Sequence, residues 1–363
     1  MENSILEVKK RDSNLELYRI ILMILIIAHH YVVNSDLINI ILSNISNCKS
    51  IFLLIFGAWG KIGINCFILI SGYFMCKSNI KIKKFIKLFL EVIFYNTIIS
   101  TIFWLTGYET FSVTALIQNF MPIKTIGLDF VGSYLLFYLC IPFLNILTNN
   151  INEKQHIFLI MLVSFIYIYF GTFAKTAVTM NYISWFIVLY VISSYIRIYP
   201  KKIYTNKLVW GLLTLTFIFL SILSIIILSI QYPNIHISPY YFIMDTNTFL
   251  AVLVAVASFL FFKNLDIGYS KIINNISKST FGILLIHANS DNMRKWLWKD
   301  VLNNVGMYKT DYYYLHAIFS VISIFIICCL LDMIRIRLIE QPFFDLLHKL
   351  NKKLKIKFKT WFF

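Results

Sequence analysis

Charged side chains are scarce in this sequence. Only 14% of its 363 residues are Asp, Glu, Lys or Arg, whereas soluble domains carry about 25%. At the same time 59% of the residues are hydrophobic, and the mean hydropathy is +0.75. A soluble protein of this length would not need so many hydrophobic residues to fill its core. The composition therefore excludes a soluble globular protein and indicates an integral membrane protein.

Acidic residues are the scarcer of the two charge types. The chain has 17 Asp and Glu against 33 Lys and Arg, which gives a net charge of +16. In a soluble protein this surplus would suggest a nucleic-acid partner. Here the Lys and Arg residues lie in short connectors between apolar runs. The surplus therefore indicates membrane topology, and we expect no nucleic-acid partner.

Paired cysteines, processing signals and repeats are also missing. The six cysteines form no C-x-x-C pair and mostly fall inside apolar runs, so neither a disulfide framework nor a metal site is predicted. The first apolar run has no small-residue cleavage site and is expected to remain as an anchor. The connectors are too short for a second folded domain. The sequence shows no internal repeat, which weighs against a transporter.

Ten apolar runs approach the length of about 20 residues that a membrane-spanning helix needs. Strands of a membrane barrel would alternate over about ten residues instead. The sequence therefore predicts an all-α polytopic bundle of about ten transmembrane helices. The predicted spans are 17–34, 51–76, 85–106, 128–148, 156–173, 178–197, 208–230, 243–262, 273–293 and 313–334.

The distribution of Lys and Arg gives this bundle an orientation. With the N-terminus inside, 24 of the 33 basic residues fall on the cytosolic side and 7 on the outer side. Cytosolic loops of membrane proteins carry this excess, so both termini are expected in the cytosol. The predicted division is a cytosolic segment 1–16, a transmembrane domain 17–342 and a basic cytosolic tail 343–363.

Two ionisable groups share one face of the first apolar run. Arg19 and His30 are eleven residues apart, which on an α-helix makes about three turns plus about 20°. Their side chains are therefore expected on one face, about 16 Å apart along the axis. Ionisable groups inside a membrane are rare and usually functional.

Four motifs in order resemble a known family. Arg19 and His30 follow a Leu-Glu pair at residues 15–16. The segment GINCFILISGYF, residues 63–74, contains Phe67, Ser71, Gly72 and Tyr73. The segment FGILLIH, residues 281–287, contains Gly282 and His287, and RLIEQP, residues 337–342, contains Glu340 and Pro342. In order and spacing these elements resemble acyltransferase family 3, the membrane O-acetyltransferases of O-antigens and capsules.

The resemblance implies a bacterial enzyme of the plasma (inner) membrane. It would transfer an acyl group, most simply acetyl, from cytosolic acyl-coenzyme A to a hydroxyl of a cell-envelope polysaccharide or its lipid-linked precursor. Acetyl-coenzyme A would be a co-substrate, and no bound cofactor is expected. Two alternatives stay open: a transporter or flippase for a lipid-linked sugar, and a sensory or anchoring module without catalysis. The oligomeric state is not predicted.

The resemblance implies two catalytic residues, His30 and Arg19, and assigns the proton chemistry to His30. A neutral imidazole can take a proton from an acceptor hydroxyl as that hydroxyl attacks a thioester, so His30 suits a general base. The alternative is a histidine that bonds across helices. His29 competes for the same role. It is rotated by about 100° from His30 and is expected to face elsewhere.

Basic residues are the candidates for binding the donor. Arg19 is expected to contact the phosphate or pantetheine part of coenzyme A, although snorkelling or a pair with Glu16 is compatible. Lys84 and Lys87 end a lysine-rich loop where the family usually has arginines, and lysine cannot make the bidentate phosphate clamp. Their attraction to anionic lipid is the alternative to donor binding.

The sequence gives less specific predictions for the remaining polar residues. His287 is expected to contact the acceptor or relay a proton, with a structural role as the alternative. Ser71 could act on the acceptor or as a nucleophile, but beside a glycine it is expected to bond backbone or to permit close packing. Glu340 is expected to pair with Arg335 or Arg337, and Asp332 has the i,i+3 spacing for an ion pair with Arg335. Glu91 has no partner that the sequence identifies.

Overall fold

The computed structural model describes residues 12–354 except 79, 123–128, 175–180 and 244, with side chains to residue 350. Within these residues every regular element is helical and no strand occurs, so the predicted all-α class is confirmed. Some of the basic residues that set the predicted orientation lie outside the described residues, namely 9–11, 124, 175, 355, 357 and 359. The same holds for residues 1–11 of the predicted N-terminal segment and 355–363 of the predicted tail.

Seventeen α-helices follow one another along the described chain. They are α1 (Ser13–Val33), α2 (Leu37–Ser43), α3 (Cys48–Gly57), α4 (Gly60–Met75), α5 (Ile82–Leu105), α6 (Val113–Asn119), α7 (Phe130–Asn150), α8 (Glu153–Ser164), α9 (Tyr182–Ile198), α10 (Lys207–Ile235), α11 (Phe249–Lys263), α12 (Lys271–Ile276), α13 (Thr280–His287), α14 (Asp291–Lys295), α15 (Asn304–Tyr308), α16 (Tyr313–Arg335) and α17 (Gln341–Leu354). The π-helical segments Phe165–Ala174, Trp296–Val301 and Ile336–Glu340 follow α8, α14 and α16, and 3₁₀ turns lie at Lys202–Thr205 and Ser277–Ser279.

Seven helical stretches of the described chain are long and apolar enough to cross a bilayer. They are Ser13–Val33, Cys48–Met75, Ile82–Leu105, Phe130–Asn150, Glu153–Ala174, Lys207–Ile235 and Tyr313–Leu350. The apolar helices α9 and α11 are shorter, with 17 and 15 residues. Apolar side chains of α10 such as Leu212, Leu215 and Phe219 point outward and are more than half exposed. So much outward apolar surface requires lipid around it, and the protein is a multi-pass membrane protein.

The ninth predicted span differs from a continuous helix. Instead of one helix over 273–293, the chain forms α12, a 3₁₀ turn and the eight-residue α13. Hydroxyls interrupt the helix: Ser277 Oγ donates to the carbonyl of Asn274, and Thr280 Oγ1 donates to the carbonyl of Ser277. Such local bonds offer the backbone an alternative to the helical ladder. The count of ten spanning helices is therefore not confirmed in the described residues.

Helix α1 lies at the centre of the bundle. It packs against α3, α4, α11, α12, α13 and α16, and Ile27 and Val32 are fully buried in that contact. The approach of α4 is close, because a Cβ at Gly63 would lie 2.9 Å from the side chain of Ile26. On another side, Tyr18 shares a 2.6 Å hydrogen bond with Ser258 of α11. These contacts fix the rotation of α1 and hence the direction in which its polar face points.

Candidate active site

A cavity of about 890 Å³ opens beside α1, with walls from α4, α5, α7 and α13. Arg19 and His30 both line it, so the two groups that share one face of α1 reach the same space. Along α5 the lining residues run from Lys87 to Ser100, a rise of about 20 Å. The cavity therefore has an end near Arg19 and an end beyond His30, and the imidazole lies between them.

His30 is held by a second histidine from a distant part of the chain. Its Nδ1 lies 3.0 Å from Nε2 of His287, and Nδ1 of His287 lies 2.6 Å from the backbone carbonyl of Ile283. His287 itself is fully buried behind His30. It does not line the cavity, so of the two predicted roles the arrangement fits a relay or support and not direct contact with an acceptor.

These two contacts determine where the protons lie when both rings are neutral. A carbonyl oxygen only accepts, so Nδ1 of His287 carries its proton and donates to Ile283. Nε2 of His287 is then an acceptor, and Nδ1–H of His30 donates to it. The remaining nitrogen of His30, Nε2, keeps its lone pair and has no hydrogen-bond partner among the described residues. A fixed tautomer with a free Nε2 is the form that a general base requires.

His29 also lines the cavity, contrary to the expectation that it faces elsewhere. Its Nδ1 lies 2.6 Å from the carbonyl of Gly57 and therefore donates to it. The ring packs on the backbone of Gly60, where a Cβ would lie only 2.4 Å away. His29 is thus anchored to the junction of α3 and α4, whereas His30 is anchored to a second imidazole.

The cavity end near Arg19 is cationic. Arg19, Lys87 and Lys278 all line it. Nη1 of Arg19 donates to both carboxylate oxygens of Glu16 at 3.3 Å, and 25% of the Arg19 side chain stays exposed. The predicted pair with Glu16 therefore exists and leaves part of the guanidinium open to the cavity.

Lys87 is connected to a buried ion network that the sequence predicted only in part. Its Nζ lies 2.6 Å from Glu340, which also accepts from Nη1 of Arg335 at 2.9 Å. Arg335 in turn contacts Glu91 at 2.9 Å and Asp332 at 2.8 Å. The pairs of Arg335 with Asp332 and Glu340 match the expectation from spacing. The link to Glu91 joins α5 to α16 and has no local sequence signal.

The cavity end beyond His30 is rich in amides and hydroxyls. Asn289 donates to Asn96 at 3.0 Å, and Ser100 donates to Asn119 at 3.4 Å. Nδ2 of Asn119 is buried and has no partner among the described residues. Two cations also line this end: Lys61 donates to the hydroxyl of Tyr182, and Arg294 pairs with Asp291. Sequence reasoning did not single out this polar wall, because its members come from five separate segments.

The remaining predicted site residues differ in their positions. Ser71 lines the cavity, donates to the carbonyl of Phe67 at 2.8 Å and lies 3.3 Å from the hydroxyl of Tyr134. Its bond to backbone is the one expected for a packing serine. Lys84 is exposed and does not belong to the cavity wall. In the part of the chain that the structure describes, no group of three or more His, Cys, Asp and Glu is placed to hold a metal ion.

Comparison with known proteins gives one match. The model of an acyltransferase domain, the acyltransferase 3 family, matches residues 12–333, which is most of the chain. No curated protein and no solved structure is similar enough to the chain to be matched. The family match includes α1 with Arg19 and His30 and extends through α13 with His287. The resemblance found in the sequence motifs is thereby confirmed, and the chain belongs to the acyltransferase 3 family of membrane acyltransferases.

Proposed function

We propose that the protein transfers an acyl group, in the simplest case acetyl, from cytosolic acyl-coenzyme A to a hydroxyl of a cell-envelope polysaccharide or its lipid-linked precursor. The observation that carries this proposal is the fixed tautomer of His30. His30, whose Nε2 is free, lines a cavity that is cationic at one end and rich in amides and hydroxyls at the other. The enzyme would act in the plasma (inner) membrane of a bacterium.

The end near Arg19 is suited to the donor. Coenzyme A is highly anionic, and Arg19, Lys87 and Lys278 supply positive charge there. Glu16 and Glu340 neutralise part of this charge in the free protein. A bound phosphate would compete with these carboxylates for the same donor groups. The lysines attract the phosphates as point charges, and Arg19 is the one group of the three that can bind bidentately.

The end beyond His30 is suited to the acceptor. Sugars present many hydroxyls that both donate and accept hydrogen bonds, and amide side chains match both functions. Asn96, Ser100, Asn119 and Asn289 supply such groups on the wall. The unpartnered Nδ2 of Asn119 is a donor that a bound hydroxyl could satisfy. Tyr182 adds an aromatic surface beside them.

The reaction then needs one proton carrier. Nε2 of His30 takes the proton of the acceptor hydroxyl while the oxygen attacks the thioester carbonyl. The tetrahedral intermediate collapses, the carbon–sulfur bond breaks, and the thiolate of coenzyme A receives the proton from the imidazolium. The products are the ester and free coenzyme A. Throughout, Nδ1–H of His30 stays bonded to His287, which orients the ring and stabilises its transient charge.

The proposal is tested with purified protein, labelled acetyl-coenzyme A and envelope glycan. The wild type is expected to label the glycan, and His30→Gln is expected to lower kcat by about 10²- to 10⁴-fold. His29→Gln is the matched control from the same helix turn and should lose much less. Both variants should remain in the membrane in normal amount.

The same assay separates the proposal from its rivals. A transporter or flippase for a lipid-linked sugar would leave the glycan unlabelled even in the wild type. Full labelling by His30→Gln would refute the mechanism, and loss in His29→Gln alone would move the base to His29. Mass analysis of envelope glycan from cells with and without the gene then identifies the modified sugar and acyl group.

A further inference from the structure

The C-terminal helix α17 presents an uncovered apolar face. Phe343, Leu346, Leu347 and Leu350 are between 39% and 57% exposed, although they are large hydrophobic side chains. Helical periodicity places these four on one side of α17, since they follow the spacing i, i+3, i+4, i+7. Asp345 and Lys349 lie on the opposite side. A helix with two such faces is stable only when something apolar covers one of them.

The length of the preceding helix shows that α17 has left the hydrocarbon core. The continuous stretch Tyr313–Leu350 has 38 residues and would be about 57 Å long, whereas the core of a bilayer is about 30 Å thick. Its apolar part ends at the buried Arg335, and the π segment Ile336–Glu340 and Pro342 follow. Both a π segment and a proline bend helices, so α17 can change direction where the charged residues begin.

Basic residues are concentrated in this part of the sequence and at the start of the neighbouring helix α5. From Gln341 to Phe363 the sequence contains six lysines and one aspartate. The start of α5 lies beside α17, because Nζ of Lys83 is 5.6 Å from the centre of the Phe344 ring. Lys81 and Lys84 there are exposed as well. A second copy of the chain would bring the same positive charge to this face and be repelled, whereas an anionic surface is attracted.

We infer that α17 is an interfacial helix, seated on anionic phospholipid headgroups. Its apolar side chains enter the boundary between headgroups and acyl chains, and its lysines contact the lipid phosphates. Each lysine near an anionic bilayer surface contributes about a fivefold preference for that surface. The inference is independent of acyl transfer, because it concerns only where α17 lies.

The test uses the full chain with Cys48 replaced by serine, reconstituted in phosphatidylcholine vesicles with and without phosphatidylglycerol. An environment-sensitive fluorophore is attached at Leu347→Cys on the apolar face or at Asp345→Cys on the polar face. Nitroxide-labelled lipid should quench the Leu347 probe and iodide should not, with the reverse for the Asp345 probe. Phosphatidylglycerol should increase the difference at low salt, and the triple change Lys349→Gln, Lys352→Gln, Lys353→Gln should remove that increase.

Two results would overturn the inference. Equal access of iodide to both probes in phosphatidylglycerol vesicles would place α17 in water. Protection of the Leu347 probe without quenching by lipid, together with cross-linking of Leu347→Cys between two chains, would place it against a second copy. Each variant should elute as a single peak from a size-exclusion column in detergent, which controls for folding. If the Leu347→Cys variant does not, the probe is placed at Leu350→Cys on the same face.

Discussion

At the scale of single residues, the proposed chemistry depends on one backbone carbonyl. Ile283 accepts from His287, His287 accepts from His30, and the free nitrogen of His30 follows from that order. His287 thus sets the tautomer of His30 and the direction of its lone pair without reaching the cavity. It is a positioning residue in the proposed mechanism, and its removal should affect turnover more than binding.

His287→Leu is expected to lower kcat by about tenfold to hundredfold, because His30 loses the acceptor that fixes its ring. KM for both substrates should stay close to that of the wild type. His287→Gln keeps an acceptor oxygen near the position of Nε2 and should recover most of the activity. The measurement is steady-state kinetics with acetyl-coenzyme A. Equal loss in the Leu and Gln variants would argue against this positioning role.

Lys87 and Lys84 form a matched pair of lysines near the end of the cavity that we propose binds the donor. Lys87 lines the cavity, whereas Lys84 is exposed outside it. Lys87→Met should raise KM for acetyl-coenzyme A by about three- to tenfold, since its side chain is partly screened by solvent. Lys84→Met should leave KM unchanged. An equal rise in KM in both variants would mean that the overall positive charge of the loop, and not Lys87 in particular, attracts the donor.

Helical spacing predicted part of this site and could not predict the rest. The eleven-residue step from Arg19 to His30 is enough to place both on the cavity wall. His29 reaches the same wall because the cavity covers about 120° of α1, a width that depends on neighbouring helices and not on α1 itself. The contact between His30 and His287 needs the tertiary fold, and only the family motifs indicated that both matter.

At the scale of elements, charged side chains join α16 to α5, the helix that forms one wall of the cavity. Arg335 of α16 is buried with Glu91 of α5 and with Asp332 one turn away. Tyr95 donates to Asp332 at 2.7 Å and completes the contact. If the cation between these two buried carboxylates were removed, unpaired negative charge would remain in an apolar interior.

Arg335→Leu is therefore expected to destabilise the protein by about 3–5 kcal/mol. Arg337→Leu is the control, because Arg337 is exposed two residues further along. The measurement is the unfolding midpoint of each purified variant in detergent, followed by tryptophan fluorescence. A shift in Arg335→Leu no larger than that in Arg337→Leu would show that the network does not stabilise the fold.

Spacing along one helix predicted the pair of Arg335 with Asp332, and hydrophobic runs predicted the long helices. The broken ninth segment was not predicted, because its hydroxyls and asparagines fall within a run that reads as apolar on average. Its interruption arises from side chains that bond their own backbone and from the 3.2 Å bond of Ser13 to Asn274. The 3₁₀ turn separates α12 from α13, the short helix whose last residue is His287.

At the scale of the whole molecule, the uneven distribution of basic residues predicts how the bundle sits in the membrane. The lysine-rich start of α5 and the start of α17 lie at the same end of the bundle as Arg19, as the pair of Lys87 with Glu340 requires. The positive-inside rule predicts that this end faces the cytosol. The donor end of the cavity would then face the compartment that contains coenzyme A.

Cysteine labelling of intact cells tests this orientation. In a Cys48→Ser background, Asn234→Cys near the end of α10 should react with a membrane-impermeant maleimide from outside. Lys202→Cys in the 3₁₀ turn before α10 should react only after permeabilisation. Both positions are exposed, so burial does not limit either reaction. The opposite labelling pattern would show that the bundle has the inverse orientation. The cationic end of the cavity would then face away from the cytosol.

The ion pair of Lys87 with Glu340 has a consequence for truncation. Glu340 is the last residue before α17 and supplies a counter-charge to a lysine of the substrate cavity. A chain cut before residue 340 would therefore keep every histidine and arginine of the site, yet its cavity would hold one more uncompensated positive charge. The residue that precedes α17 thus contributes to the electrostatic potential at the Arg19 end of the cavity, the end that we propose binds the donor.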